Sequence, residues 1–355
     1  MLQCSLCGSR PAVVRRSASG EPNCKDCFID SFESDVYDYI RDKKLIEDGD
    51  KVCIGVSGGK DSSVLLHVLW SLQRRFQCNW ELCLLAIDEG IKGYRDHSLT
   101  VVDAIQARYG LELKILNFMD AFGYSMDKVV GLIGKKNNCT VCGTFRRQML
   151  EVGARLLRAN VLCTGHNADD MAETVLLNIF RGDVYKLAKA SQLKDGLPGE
   201  APDGADTEHC SERSQKTGTP FRRIKPLLYS FEKEIVLYAR FQSLDYFSTE
   251  CIYSPEAYRG YMRTFIKNLE LIEPRIILNI IKAGSMLYAD YAPIDGSKGV
   301  CVDCGVVGVK DLCKACSIVR KLDTLVGETG NTNDGCAQKP AKAILSDRGF
   351  KLNYD

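Results

Sequence analysis

The stretch Ser57-Gly58-Gly59-Lys60-Asp61-Ser62 limits the fold more than any other part of the chain. An apolar run from Lys51 to Val56 leads into it. A helical pattern, Val64-Leu65-Leu66-His67-Val68-Leu69, leads out. A strand feeding a glycine-rich turn into a helix aims backbone N–H groups and the positive end of a helix dipole at one point. Phosphate is the ligand that such an arrangement suits. An ordinary Gly/Ser turn would explain the glycines, but not strand, loop, lysine and helix in that order. The mononucleotide P-loop is excluded. Only three residues separate Gly55 from Gly59-Lys60, and Asp61 rather than Ser or Thr follows the lysine.

The alternation of strand and helix continues to about Leu228. β-like runs fall at Val52–Val56, Glu81–Asp88, Leu111–Asn117, Asn160–Thr164 and near Arg223–Leu227, with helical patterns between them. The expected class is α/β, a doubly wound parallel five-stranded sheet with ligand beyond the carboxyl ends of its strands. Two further segments fall at such ends. In Gly165-His166-Asn167-Ala168-Asp169-Asp170, Asn167 or Asp169 caps the next helix. Capping leaves a second acid unexplained, and a carboxylate there suits Mg²⁺ or the orientation of a nucleophile. His166 alone is more often a structural hydrogen-bonder than a catalyst. Ile87 and Asp88 end another strand, placed to frame an adenosine.

The chain of 355 residues has a formal net charge of +1, so any RNA contact must come from local patches. Such patches are Arg146-Arg147, Arg155, Arg158, Arg222-Arg223-Lys225, and Arg259 with Arg263. No apolar run reaches membrane-spanning length, and the N-terminus lacks a signal-peptide core. The seventeen cysteines therefore read as metal or redox ligands in a reducing, cytosolic compartment rather than as disulfides.

Cys4 and Cys7 pair with Cys24 and Cys27 across sixteen residues, within the spacing of a structural zinc site. Cys301, Cys304, Cys313 and Cys316 repeat the pattern with a shorter loop. A zinc ion capped by four thiolates has no open position, so both modules are expected to be structural. Cys139 and Cys142 differ, because they open a helix inside the core. That helix N-terminus and the flanking Lys135, Lys136, Arg146 and Arg147 are expected to favour thiolate. With Cys251 they form a trio open to four readings: a 4Fe–4S cluster, a persulfide and disulfide pair at Cys139 and Cys142, a third zinc site, or unrelated free cysteines. Cys53, Cys83 and Cys163 lie in expected strands as packing residues.

The expected organisation is a zinc module over 1–30, a linker helix over 31–50 and a nucleotide-binding core over 51–229. A helical region over 230–295, a second zinc module over 296–322 and a flexible tail over 323–355 follow. A polar stretch at about 195–218, with Cys210, reads as a mobile insertion; Cys336 lies in the tail.

The Ser57–Ser62 loop resembles the pyrophosphate loop of the N-type ATP pyrophosphatases. From Cys4 to Cys316 the chain is similar to the cytoplasmic tRNA 2-thiolation protein 1 family of the adenine nucleotide α-hydrolase superfamily. The motifs that carry this resemblance are AIDEGI with GYR, NNCTVCGTFRR, TGHNADDMAETVLLN, IKPL and FSTECIYSPEAYRGYMRTF. The resemblance implies that ATP adenylates the C2 oxygen of the wobble uridine in tRNA for Lys, Glu and Gln, after which sulfur displaces AMP. It implies that Ser57, Gly58, Gly59, Lys60, Asp61 and Ser62 hold pyrophosphate, with Ile87, Asp88 and Gly165 completing the nucleotide site. Lys60 would stabilise phosphate charge, Asp170 and Arg146 would face the uridine, and Cys139, Cys142 and Cys251 would relay sulfur. It further implies a tRNA-contacting role for 230–295, a tRNA 2-thiolation protein 2 paralogue as partner and a thiocarboxylated ubiquitin-related modifier as sulfur donor. Two rivals remain: an amidating or lysidine-type ATP pyrophosphatase, and a zinc-stabilised RNA-binding adaptor with a vestigial nucleotide site.

Overall fold

The structure, a computed structural model, describes residues 2–135, 137–184, 186–187, 221–249, 251–253, 258–289, 299–308 and 311–329. The stretch at 195–218 and the tail beyond 329 lie outside the described residues. A short ribbon, β1 (Val14–Arg15) against β2 (Pro22–Asn23), carries the first cysteine knuckles. Helix α1 (Lys25–Asp42) begins directly after Cys24, earlier than the expected linker helix. It starts there because Phe28 and Phe32 are already core residues, so the cysteine knuckle and the main core share one element.

The central sheet comprises β3 (Lys51–Gly55), β4 (Glu81–Asp88), β5 (Glu112–Asn117), β6 (Val161–Cys163) and β7 (Arg222–Ile224). All its neighbours are parallel, in the order β5-β4-β3-β6-β7. Side chains alternate between its two faces. Val52, Ile54, Leu82, Leu84, Val161 and Cys163 point into one core. Cys53, Cys83, Leu85 and Leu162 point into the other. These three cysteines are buried packing residues, as the sequence leads one to expect.

The first face is covered by α1, α2 (Lys60–Arg75), α3 (Tyr94–Tyr109) and, later in the chain, α8 (Glu232–Phe241). Helix α2 is buried without interruption from Ser62 to Leu69, which is what a helix enclosed on all sides requires. The second face carries α4 (Phe118–Phe122), α5 (Met126–Ile133) and α6 (Asn138–Leu156). Asn117 and Ser125 cap α4 and α5 through their side-chain oxygens. Helix α7 (Ala168–Phe180) packs with α9 (Tyr258–Ile272) and α10 (Ile276–Ala289) around Met171, Ile266, Ile277 and Ile281.

The second cysteine module contains β8 (Gly299–Val300), β9 (Val307–Gly308) and α11 (Lys314–Thr329). Helix α11 continues past Leu322, where a flexible tail was expected. Ala315, Val319 and Leu322 are buried in the second core, and Tyr124 donates a 2.6 Å hydrogen bond to Asp323. Among the described residues, no helix is long and apolar enough to cross a membrane.

Candidate active site

The strand order reverses between β3 and β6, so the loops leaving their carboxyl ends diverge and open a crevice. Ser57–Ser62 leaves β3 and Gly165–Asp170 leaves β6. The two loops touch: Asn167 Nδ2 donates to Asp61 Oδ1 at 3.0 Å, while Asn167 Oδ1 caps α7 by accepting from Asp170 N at 2.9 Å. Gly165 permits this approach, since a Cβ there would lie 2.9 Å from the Asp61 carbonyl carbon and 3.0 Å from Ser62 N. Gly58 has φ +71°, and a Cβ on it would meet the Ser98 carbonyl oxygen at 2.9 Å. The first turn of α2 offers N–H donors that have no helical acceptor.

A cavity of about 270 Å³ lies beside these loops, lined by Ser57, Asp61 and Ser62, by Gly165 and Asp170, and by Ile87, Glu89 and Arg146. Not every residue of the expected set faces it. Gly58 and Gly59 supply the turn. Asp88 caps the next bend, its Oδ1 accepting from Gly90 N at 2.8 Å, and Glu89 reaches the cavity in its place.

Lys60 points at carboxylates, with Nζ 2.8 Å from Glu232 Oε1 and 3.3 Å from Asp61 Oδ2. Burial opposes its charge, but Asp61 and Glu232 outweigh it and raise its pKa. Glu232, burial notwithstanding, is held down to about 2 by Lys60 and Lys267. Lys267 also pairs with Asp169 at 2.7 Å. No pattern in the sequence flagged Glu232 or Lys267, because their partners lie far away along the chain.

Asp170 is pushed up to about 6 by desolvation, with Asp61 and Glu173 adding to the shift and Arg259 opposing it. Arg259 Nη2 lies 3.0 Å from Asp170 Oδ1. Arg146 Nη2 lies 2.7 Å from Glu89 Oε1 and 3.6 Å from Cys142 Sγ. Desolvation of the His166 imidazole, with Lys225 and Arg259 nearby, lowers its pKa and keeps it neutral, and its Nδ1 lies 2.9 Å from Thr164 Oγ1.

His166 also lines a second, larger cleft of about 730 Å³. Its walls carry Cys139, Arg147, Arg181, Lys225, Tyr258 and Arg259. Cys139 is exposed, and Cys142 and Cys251 are partly buried. Cys142 senses both of the others electrostatically. The expectation of a readily formed thiolate needs correction at Cys142. Burial outweighs Arg146 there and pushes the thiol up to about 11, and burial likewise raises Cys251. The three sulfurs do not gather within 4.8 Å, as each terminal set of four does. That spread argues against one tetrahedral ion and leaves room for a larger group or a relay.

The terminal sets are compact. Cys4, Cys7, Cys24 and Cys27 form one group, and Cys301, Cys304, Cys313 and Cys316 form the other. The Sγ atoms of Cys7 and Cys24 are 4.0 Å apart, and those of Cys304 and Cys313 are 3.7 Å apart. A tetrahedron with metal–sulfur bonds of about 2.3 Å has sulfurs about 3.8 Å apart. Every described cysteine is a free thiol. Both sets are therefore metal-binding sites in donor type and in spacing. Gln148, on the same helix as Cys139 and Cys142, donates to Cys304 Sγ at 3.4 Å.

This sheet, with its paired loops at the reversal point, defines a class. A family model described as a PP-loop domain matches residues 31–270, and the chain belongs to that family. More narrowly, it belongs to the cytoplasmic tRNA 2-thiolation protein 1 family. It is 46% identical to the Xenopus laevis protein of that name over 322 residues, which is 91% of this chain and 89% of that protein. It is 47% identical to the Arabidopsis thaliana one over 320 residues, 90% of this chain and 84% of that protein. Among solved structures it is similar to the U34-tRNA thiolase NcsA from Methanococcus maripaludis with its [4Fe-4S] cluster. The identity is 30% and the TM-score 0.75, covering 91% of this chain and 97% of that one.

Proposed function

We propose that this chain is an ATP-dependent tRNA thiolation enzyme of the cytoplasm that converts the wobble uridine to 2-thiouridine. The single observation that carries the reading is that one residue, His166, lines both the nucleotide cavity and the cleft holding Cys139. Adenylation acts on the uridine O2 and sulfur transfer on the C2 that bears it, so their sites must adjoin.

ATP occupies the smaller cavity, with pyrophosphate on the N–H groups of Ser57–Ser62 and adenosine along Ile87. Mg²⁺ accompanies the triphosphate. Lys60 turns from Glu232 to the phosphate oxygens, where it stabilises the charge that develops. The uridine enters from the basic cleft. Its O2 forms a bond to the α phosphorus, the bond to pyrophosphate breaks, and the N3 proton passes to the Asp170 carboxylate. A carboxylate raised towards neutrality is well matched to that transfer. A sulfur nucleophile then bonds to C2, and the C2–O2 electron pair leaves with AMP. Arg146 offsets the charge shed at this stage.

Cys139, Cys142 and Cys251 would hold a 4Fe–4S cluster, which when bound offers an open iron to sulfide, or would carry persulfide themselves. Zinc is the ion we assign to the two terminal sets. The basic cleft and helices α8 to α10 take the anticodon loop of tRNA for Lys, Glu and Gln. The tRNA 2-thiolation protein 2 paralogue and the thiocarboxylated ubiquitin-related modifier are the partners we infer from the family.

The test uses anaerobically purified protein, ATP, sulfide and a lysine tRNA transcript. The expected products are AMP and an RNA band retarded on mercury gels. Lys60→Ala should lose both, while Cys139→Ser should lose the retarded band and keep ATP binding. Absence of both products from the wild type, with its companions added, refutes the assignment.

A further inference from the structure

We propose that Arg259 is the positioning residue of Asp170. It fixes the carboxylate towards the nucleotide cavity from the far side and sets its affinity for the proton. This rests on the function proposed above, in which Asp170 takes the N3 proton.

Arg259 and Arg263 stand one turn apart on α9, in a region where the sequence alone offers them to RNA phosphate. The structure engages them with α7 instead. Arg259 Nε donates to Glu173 Oε2, and Arg263 Nε donates to Glu173 Oε1 at 3.0 Å. Glu173 is buried, with 3% of its surface exposed, so the charge of an unpaired carboxylate there would be costly. The two arginines are its counterions. Having been fixed by Glu173 through Nε, Arg259 turns Nη2 towards Asp170. Nη2 lies 3.0 Å from the backbone oxygen and 3.0 Å from Oδ1. One planar guanidinium therefore ties a buried anchor to both the main chain and the side chain of the proposed base.

The pairing also lies where the two cavities meet. Arg259 lines the large basic cleft, and Asp170 lines the nucleotide cavity. The other charged or titratable groups facing Asp170 are Asp61 from α2 and Glu173 from its own helix, with Arg146, Glu89 and His166 around the nucleotide cavity. Asp61 and Glu173 raise the Asp170 pKa and Arg259 lowers it. Removing Arg259 should raise the pKa further, and removing the Glu173 charge should lower it.

The experiment is the pH profile of RNA-dependent pyrophosphate release under single-turnover conditions, for wild type, Arg259→Gln, Arg259→Lys and Glu173→Gln. The acidic limb should move up by about one pH unit in Arg259→Gln, return most of the way in Arg259→Lys, and move down in Glu173→Gln. The opposite signs separate this role from general damage, which moves neither limb in a charge-dependent direction. An unmoved limb in Arg259→Gln, with a raised KM for RNA as the sole change, would return Arg259 to phosphate contact and overturn the inference. Should Arg259→Gln fail to fold, the Arg259→Lys and Glu173→Gln limbs decide; identical profiles to wild type refute the role. Wild-type turnover in the same assay shows that the underlying function stands even where this inference fails.

Discussion

Gly165→Ala tests whether the two loops of the nucleotide site are in contact. An added Cβ would sit 2.9 Å from the Asp61 carbonyl carbon, 3.0 Å from its oxygen and 3.0 Å from Ser62 N. Ordinary contact begins near 3.4 Å, so the methyl intrudes by 0.4 to 0.5 Å on three atoms at once. All three belong to backbone, and no flexible side chain can yield. The loops must part. Overpacking of this kind costs about 1–3 kcal/mol, and the lack of any escape places it near 2. Expressed in nucleotide binding, that is about a thirtyfold rise in Kd for ATP. Expressed in stability, it is a thermal transition lowered by roughly 3 °C. Calorimetric titration with a non-hydrolysable ATP analogue and a thermal melt measure the two. Gly131→Ala is the comparison, since a Cβ there meets nothing within 4 Å inside α5. It should leave Kd unchanged and gain about 0.5–1 kcal/mol from helix propensity. A Gly165→Ala protein that binds the analogue within threefold of wild type and melts at the same temperature would refute the described contact.

Two further predictions concern metal and acid. Stripping metal, or Cys304→Ser, should free α11, seen as faster amide exchange over Ala315–Leu322 and at Tyr124, whose partner Asp323 rides on that helix. Unchanged exchange there would show that the second module holds nothing. Glu232, with its folded pKa near 2, stabilises the protein fully above the unfolded value and loses that contribution as pH falls through about 4.5 towards 2. Glu232→Gln should therefore lower stability at pH 6 by up to about 3 kcal/mol and lose less on acidification. Parallel losses in both proteins, read by denaturant unfolding at pH 6 and pH 4, would contradict that.

Much of this fold is legible in the chain. The five strands stand out because a sheet covered on both faces needs short, unbroken apolar runs, and Val52-Cys53-Ile54 or Leu82-Cys83-Leu84-Leu85 meets that need. The loops that follow β3 and β6 are recognisable by composition. Other features depend on tertiary packing. Helices α4 and α5 are too short to show a period, and only their capping by Asn117 and Ser125 marks them. The start of α6 at Asn138 precedes the periodic stretch. The extension of α11 to Thr329 keeps the helical spacing of Ala315, Val319, Leu322 and Val326, which face the second core. The Lys60–Glu232–Lys267 chain and the Arg259–Asp170 pair join residues from opposite ends of the domain, and no local rule links those ends.

The reversal of strand order has a consequence for synthesis. Val52 pairs with Val161, and Val161 with Arg222, so the middle of the sheet closes only after long intervening segments have been made. Such remote pairing slows folding, because loop entropy is lost before contacts compensate it. A nascent chain that ends before β6 would display the glycine turn with nothing opposite it. Triphosphate affinity should therefore emerge late and abruptly during translation, once the segment through Ile224 has left the ribosome.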